Sequence, residues 1–98
     1  MKDFKFEDLY KLIESRIKSK DKSSYSYQLS DNPKLLYKKI LEEAKELTKT
    51  KNKNQVIWES SDLIYFLIVF LVKRQVKLEE IKSKLNERNK NKKKFKTK

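Results

Sequence analysis

The sequence contains no cysteine, no histidine and no glycine, and it has a single proline among its 98 residues. Without cysteine the chain forms no disulfide, which is consistent with a reducing compartment. Without cysteine and histidine it lacks the usual ligands of zinc and iron sites. A β-rich fold needs turn residues between many strands, so the lack of glycine and proline argues against one. The abundance of lysine, glutamate and leucine favours helices instead.

Long apolar segments are also missing. The most apolar run covers residues 63–72, whereas a membrane-spanning helix needs about 20 residues. The first residues show no secretory signal pattern. The sequence therefore predicts a cytoplasmic protein with no membrane partner, built as one domain with a small core.

The chain is strongly basic, with a formal net charge of +12. Part of this charge lies in a tail at residues 89–98, which has no apolar periodicity and is expected to be disordered. Only three of the 26 basic residues are arginines, and lysine enrichment throughout the chain is typical of a compositional bias. Nucleic-acid binding is therefore disfavoured as the primary function, although a weak polyanion contact by the tail stays open.

Apolar spacing predicts an all-α fold whose domain spans residues 1–88. Asn32 followed by Pro33 is a typical start signal, with asparagine as the cap and proline in the first helical position. The polar segment 19–32 is predicted to be a loop. Four helices are expected: residues 5–18, Pro33 to about residue 49, residues 54–74, and residues 77–88.

The third predicted helix is apolar on all sides from Leu63 to Val72. Such a helix must be covered on every side, and three short helices are too few to cover it. Side chains expected to be left over include some of Tyr65, Phe66, Val69 and Phe70. The sequence therefore predicts a homodimer formed through this helix.

Two short clusters of carboxylates carry the functional signal. Glu43 and Glu46 are spaced i, i+3, and so are Glu59 and Asp62, which places each pair on one face of its helix. If the two helices face each other, four carboxylates gather around a small volume and repel unless a cation holds them. Carboxylate oxygens suit Mg²⁺ first, with Mn²⁺ as a substitute. The alternative is a solvated helix face on which lysines pair with the acids.

Three segments resemble the blocks typical of phosphoribosyl-ATP pyrophosphohydrolases: SYSYQL at 24–29, KKILEEAKEL at 38–47 and WESSDLIYFLIVFL at 58–71. That family belongs to the all-α NTP pyrophosphatases, whose signature is ExxE followed by ExxD. The chain departs from the usual pattern at Ser26, where threonine is common, at Leu41, where glycine is common, and at Phe66, where bacterial members often have histidine. None of these three departures replaces an expected metal ligand, and serine at position 26 keeps the hydroxyl.

The resemblance implies hydrolysis of phosphoribosyl-ATP to phosphoribosyl-AMP and pyrophosphate, the second step of histidine biosynthesis. It implies Glu42 and Glu43 as catalytic carboxylates, with Glu42 as an outer metal ligand or the base for water. Lys38 and Lys39 are expected to meet phosphate oxygens, although Lys38 is equally well read as a surface lysine. The implied metal ligands are Glu43, Glu46, Glu59 and Asp62, and the implied substrate-binding residues of the 19–32 segment are Ser24, Tyr25 and Ser26.

Two rival functions stay open at this point. A house-cleaning pyrophosphatase for non-standard nucleotides would use the same carboxylates, and only the SYSYQL segment disfavours it. A non-catalytic basic helical protein that binds nucleic acid or a protein partner would need its lysines and not its carboxylates. Tyr25 and Tyr27 are also open to a simpler reading, as side chains that anchor the segment in the core.

Overall fold

The computed structural model describes residues 3–90, and every regular element within that range is a helix. The all-α class is therefore confirmed. The number of helices is five and not the predicted four. In chain order the helices are α1 (Phe6–Ser19), α2 (Tyr25–Ser30), α3 (Pro33–Thr48), α4 (Lys53–Lys73) and α5 (Leu78–Lys90).

The additional helix, α2, lies in the segment that was predicted to be a loop. Ser24 caps it, because its hydroxyl accepts a hydrogen bond from the Tyr27 backbone N–H at 3.3 Å. Leu29 is completely buried on its inner face, beside the buried Ser26 and Ser30. The polar composition of the segment was misleading because small hydroxyl side chains, and not only apolar ones, make up its buried face.

The longer helices begin where local side chains satisfy their first N–H groups. Asn32 caps α3 by accepting from the Leu35 N–H at 3.3 Å, and Pro33 occupies the first turn. Asn52 caps α4 by accepting from the Gln55 N–H at 2.9 Å. These side-chain acceptors replace the intrahelical partners that the first turn lacks. The predicted start of the second helix at Pro33 is thereby confirmed.

The two longest helices, α3 and α4, share the most extensive contact in the fold and are joined by only four residues. Such a short connection between packed helices makes an antiparallel hairpin. Helices α1 and α2 pack across it and close one core. The buried apolar residues of that core are Tyr10, Ile13, Leu29, Leu36, Phe66, Ile68, Val69 and Val72.

Only part of α4 is covered in the single chain. Some of four side chains were expected to be left over for a second copy; of these, Phe66 and Val69 are buried within the subunit, and Tyr65 and Phe70 are half-buried. The apolar side chains of α4 that are exposed lie mainly in its first turns: Val56, Ile57, Trp58 and, further along, Leu67. Helix α4 therefore exposes apolar side chains, and these include residues that the sequence analysis did not single out.

By length and composition, α4 could also cross a membrane. Two observations favour a core helix instead. Its second half packs into the core through Phe66, Val69 and Val72. Its first half carries Glu59 and Asp62, and ionisable side chains within a membrane span are costly. We therefore describe α4 as the central helix of the bundle.

The last helix, α5, has no buried residue and contacts the bundle mainly at its start, where Leu78 packs against the core. An ion pair between Lys82 and Glu7 also ties it to α1. The helix includes Asn89 and Lys90, the first two residues of the tail expected to be disordered. The remainder of that tail, residues 91–98, lies outside the described residues.

Candidate metal centre

The carboxylates of the site continue the core-facing stripes of α3 and α4. On α3 the buried Leu36 and the half-buried Ile40 are followed on the same stripe by Glu43, with the i, i+4, i+7 spacing of one helix face. On α4 the stripe that buries Phe66 and Val69 carries Glu59 and Asp62 in earlier turns, at spacings of three and four residues. The sequence thus places acids at positions where a helix of the bundle would otherwise have apolar side chains.

The hairpin brings three of these acids together. Glu43, Glu59 and Asp62 each offer a carboxylate oxygen, and the three oxygens lie within 4.8 Å of one another. All three residues are half-buried. Glu43 lies five residues before the end of α3 and Glu59 six residues after the start of α4. Residues at similar distances from the connection lie opposite each other in an antiparallel hairpin, which explains why these two meet.

Glu43 is electrostatically strained in this cluster. Its Oε1 atom is buried and has no hydrogen-bond partner among the described residues. Hydrogen bonding to the Glu59 carboxyl, burial, and the negative charges of Glu59 and Asp62 together raise the pKa of Glu43 from its ordinary 4.5 to about 7. The nearby Lys39 opposes this rise. A buried acceptor without a donor and a carboxyl that resists ionisation are both relieved by a bound cation.

The donor set determines which cation fits. The three groups offer only carboxylate oxygens, and the whole sequence lacks histidine and cysteine. Hard divalent ions such as Mg²⁺ and Mn²⁺ prefer such ligands. The residues present therefore fit a Mg²⁺-type ion.

The other predicted acids lie outside this group. Glu46 lies one turn beyond Glu43 on α3 and is exposed. It is not among the three residues whose carboxylate oxygens lie within 4.8 Å of one another. Glu42 forms ion pairs with two lysines, with its carboxylate oxygens 3.9 Å from Lys38 Nζ and 3.6 Å from Lys39 Nζ. The two predicted phosphate-binding lysines thus form one ion-paired cluster with Glu42, and the charge of Lys39 also acts on Glu43.

The predicted substrate-binding residues of the 19–32 segment have different surroundings. Ser24 is buried as the cap of α2, and Ser26 is buried with its hydroxyl 2.7 Å from the Tyr65 hydroxyl. Tyr25 is exposed to 44% and its ring stacks on that of Tyr65. Tyr27 is half-buried. Of the three predicted residues, Tyr25 presents its side chain to solvent.

Comparison with known proteins shows to which family the chain belongs. The family model described as phosphoribosyl-ATP pyrophosphohydrolase matches residues 6–89, which includes all five helices except the last residue of α5. The chain belongs to the phosphoribosyl-ATP pyrophosphohydrolase family. The resemblance carried by the three sequence segments is therefore confirmed, and with it the assignment to an enzyme family of histidine biosynthesis.

The relatives of this family member include free-standing and fused proteins. The phosphoribosyl-ATP pyrophosphatase of Clostridium novyi is 38% identical over 88 residues, covering 86% of this chain and 80% of the relative. The histidine biosynthesis trifunctional protein of Saccharomyces bayanus is 41% identical over 78 residues, covering 80% of this chain. The chain spans only 10% of that fungal relative. No solved structure matches the chain.

From the sequence alone Tyr65 is not connected with the 19–32 segment, although its hydroxyl lies 2.7 Å from that of Ser26. It follows Asp62 at i+3 on α4, the same spacing that separates Glu59 from Asp62. That spacing indicates a shared helix face, but Tyr65 also lies within the most apolar run of the chain, which favours a packing role. Its contact with α2 depends on a helix that the sequence did not predict.

Proposed function

We propose that this member of the family hydrolyses phosphoribosyl-ATP, consuming one water and releasing phosphoribosyl-AMP and pyrophosphate, with a divalent cation held by Glu43, Glu59 and Asp62. The observation that carries the proposal is the strained carboxylate group in a chain of this family: its oxygens lie within 4.8 Å of one another and Glu43 has an unpartnered buried oxygen. Mg²⁺ is the proposed ion, and Mn²⁺ is the proposed substitute.

When bound, Mg²⁺ would neutralise the charge that develops on the oxygens of the leaving pyrophosphate and of the phosphoryl group. The chain's own residues supply the rest. Glu43, Glu59 and Asp62 hold the ion, and Glu46, one turn away and exposed, is available as a further ligand. Lys38 and Lys39, whose ammonium groups pair with Glu42, bind phosphate oxygens. Tyr25 contacts the nucleotide.

Glu42 is the proposed group for orienting and deprotonating water. It neighbours Glu43 in the sequence but its carboxylate lies outside the three-carboxylate group, so it stays available while those acids hold a cation. Its ion pairs with Lys38 and Lys39 keep it at the edge of the site. A carboxylate within hydrogen-bonding reach of water can act as a general base.

The proposed assembly is a homodimer through α4. Only 22% of the most apolar window of this helix is buried in the single chain, and Trp58, directly before Glu59, is exposed to 70%. Monomeric soluble proteins seldom leave large apolar side chains grouped on one helix uncovered. A second copy would cover these side chains and reduce solvent access to the neighbouring carboxylates. A cytoplasmic location is proposed with it, since the nucleotide substrate is intracellular.

The decisive experiment is an assay of pyrophosphate release from phosphoribosyl-ATP and from a panel of canonical and modified nucleoside triphosphates. We expect turnover of phosphoribosyl-ATP with Mg²⁺, turnover with Mn²⁺, and none after chelation. Preferred turnover of a modified triphosphate would support the house-cleaning alternative. The proposal of catalysis would be contradicted by two results together: no nucleotide is turned over, and the chain binds nucleic acid even after the three acids are replaced by their amides.

A further inference from the structure

Tyr65 links the carboxylates to the segment that carries Tyr25. It follows Asp62 by three residues on α4, and side chains at this spacing are neighbours on the helix surface. From there the Tyr65 side chain reaches α2, which lies 39 residues earlier in the sequence at Ser26. Tyr65 therefore contacts α2 while standing on the helix face that carries two of the three clustered acids.

Three aromatic rings form this link. The rings of Tyr25 and Tyr65 are nearly parallel, at an interplanar angle of 9° with centroids 6.2 Å apart. Phe66 meets both rings edge-on, with its centroid 6.2 Å from that of Tyr25 and 5.3 Å from that of Tyr65. These distances lie within the favourable range for aromatic pairs. The hydrogen bond between the Ser26 and Tyr65 hydroxyls, at 2.7 Å, is a second contact between α2 and α4.

The two serines beside Tyr25 are occupied by the fold. The Ser24 hydroxyl caps α2, and the Ser26 hydroxyl, on a residue only 5% exposed, is paired with Tyr65. Neither is placed to meet a ligand in solvent. Tyr25 is exposed, and its ring is held in one orientation by Tyr65 and Phe66. The arrangement is that of a preorganised aromatic contact with a buried support.

Tyr65 lies on the helix face of Glu59 and Asp62 and also feels a positive charge from α1. Burial raises the pKa of the Tyr65 hydroxyl, while its hydrogen bond with Ser26 and the positive charge of Arg16 on α1 act in the opposite direction. A cation is thus near the aromatic group. Nucleotides combine negative phosphates with a flat base, and bases stack on aromatic side chains with little dependence on sequence.

We propose that Tyr65 is a positioning residue that holds Tyr25 beside the carboxylate cluster, where the Tyr25 ring binds the adenine base of the substrate. This inference rests on the proposed function, because it assigns the base-binding contact of that same site. Tyr65 acts through Tyr25 and Ser26. Its loss therefore affects substrate binding and leaves the chemical step intact.

The test compares two variants that each delete one tyrosine hydroxyl. Tyr65→Phe removes the bond to Ser26. Tyr10→Phe, the matched control, removes a bond of 2.8 Å to the Val76 carbonyl in the connection between α4 and α5. We expect Tyr65→Phe to raise KM by about three- to tenfold, the cost of immobilising one side chain on binding, with kcat unchanged. Tyr10→Phe should change neither constant. Equal KM values for wild type and Tyr65→Phe would overturn the proposal.

Two further variants separate positioning from general damage. Ser26→Ala removes the same hydrogen bond from the other side, so it should raise KM as Tyr65→Phe does, and the double variant should add little more. It also replaces Tyr65→Phe if that variant unfolds at the assay temperature. Tyr25→Ala should raise KM at least as much as Tyr65→Phe does. Tyr25→Phe, which keeps the ring, should have a KM close to that of wild type. Additive effects of Ser26→Ala and Tyr65→Phe would contradict a shared role.

A binding measurement keeps this inference separate from the proposed reaction. AMP, which carries the adenine base, is titrated calorimetrically into wild type, Tyr65→Phe and Tyr10→Phe. We expect weaker AMP binding only in Tyr65→Phe. If the wild type releases no pyrophosphate but the AMP affinities differ as expected, the reaction is wrong and the positioning role stands. If the reaction proceeds and the affinities are equal, the positioning role is wrong.

Discussion

Replacing Glu43 by glutamine should stabilise the metal-free protein above neutral pH. The substitution keeps the shape and hydrogen-bonding capacity of the side chain and removes its charge. In the folded chain the pKa of Glu43 is raised from 4.5 to about 7, chiefly by hydrogen bonding to the Glu59 carboxyl, then by burial and the charges of Glu59 and Asp62. The folded state therefore holds this proton more tightly than the unfolded state does. The associated stability is fully present below about pH 4.5 and is lost as the pH rises through 7.

The size of the effect follows from the pKa values. The rise from 4.5 to about 7 corresponds to about 3 kcal/mol at most. Because the cluster is partly open to solvent, screening reduces this to about 1–2 kcal/mol. Glu43→Gln should therefore raise the Tm at pH 8 by about 5–10 °C for a chain of this size, and the difference should shrink toward pH 4.5.

Thermal unfolding of wild type and variant, at equal protein concentration and in the presence of a chelator, measures this difference. Glu46→Gln is the matched control, since Glu46 lies one turn away on the same helix, is exposed, and is outside the three-carboxylate group. It should shift stability by less than about 0.5 kcal/mol. A wild-type-to-variant difference that does not grow between pH 5 and pH 8 would refute the electrostatic reasoning.

Mg²⁺ provides the second half of the same experiment. A ligand that binds only the folded state stabilises it by an amount that increases with its concentration above Kd. We expect Mg²⁺ to raise the Tm of wild type and to leave that of Glu43→Gln nearly unchanged. The response of Glu46→Gln then reports whether the exposed fourth acid takes part in binding. An equal Mg²⁺ response in wild type and Glu43→Gln would show that the ion binds elsewhere.

Three further predictions follow from the same structure. Asp62→Asn should lower kcat by orders of magnitude with the helical circular dichroism retained, and near wild-type turnover would show that Asp62 is only structural. Trp58→Ser should weaken self-association measured by sedimentation, whereas Leu85→Ser, which alters an exposed leucine on α5, should not; a wild-type chain that is monomeric at micromolar concentration would contradict the dimer. Truncation after Lys90 should leave kcat unchanged and lower kcat/KM at most modestly at low salt. The reason is that exposed charges steer an anionic substrate only within about 10 Å at 0.1 M salt. A large loss of kcat would mean that the tail helps to build the site.

Much of the local structure could be predicted from the sequence because its signals act over a few residues. Asn32 and Pro33 start α3 through contacts within one turn. The i, i+3 spacing of Glu59 and Asp62 placed both on one face of α4, and the structure agrees. The absence of histidine and cysteine limited the possible ions to those that accept oxygen ligands. Each of these conclusions depends on residues that are close together in the chain.

The tertiary structure decided which of these side chains meet. Glu43 and Glu46 have the same spacing as the pair on α4, but only Glu43 joins the group, because the four-residue connection sets the register of α3 against α4 and brings Glu43 level with Glu59. The link between Tyr65 and Ser26 likewise depends on α2 packing across the hairpin. Helical periodicity specifies the face on which a side chain lies. It does not specify the axial register between that helix and its neighbour, and this register determines which carboxylates come together.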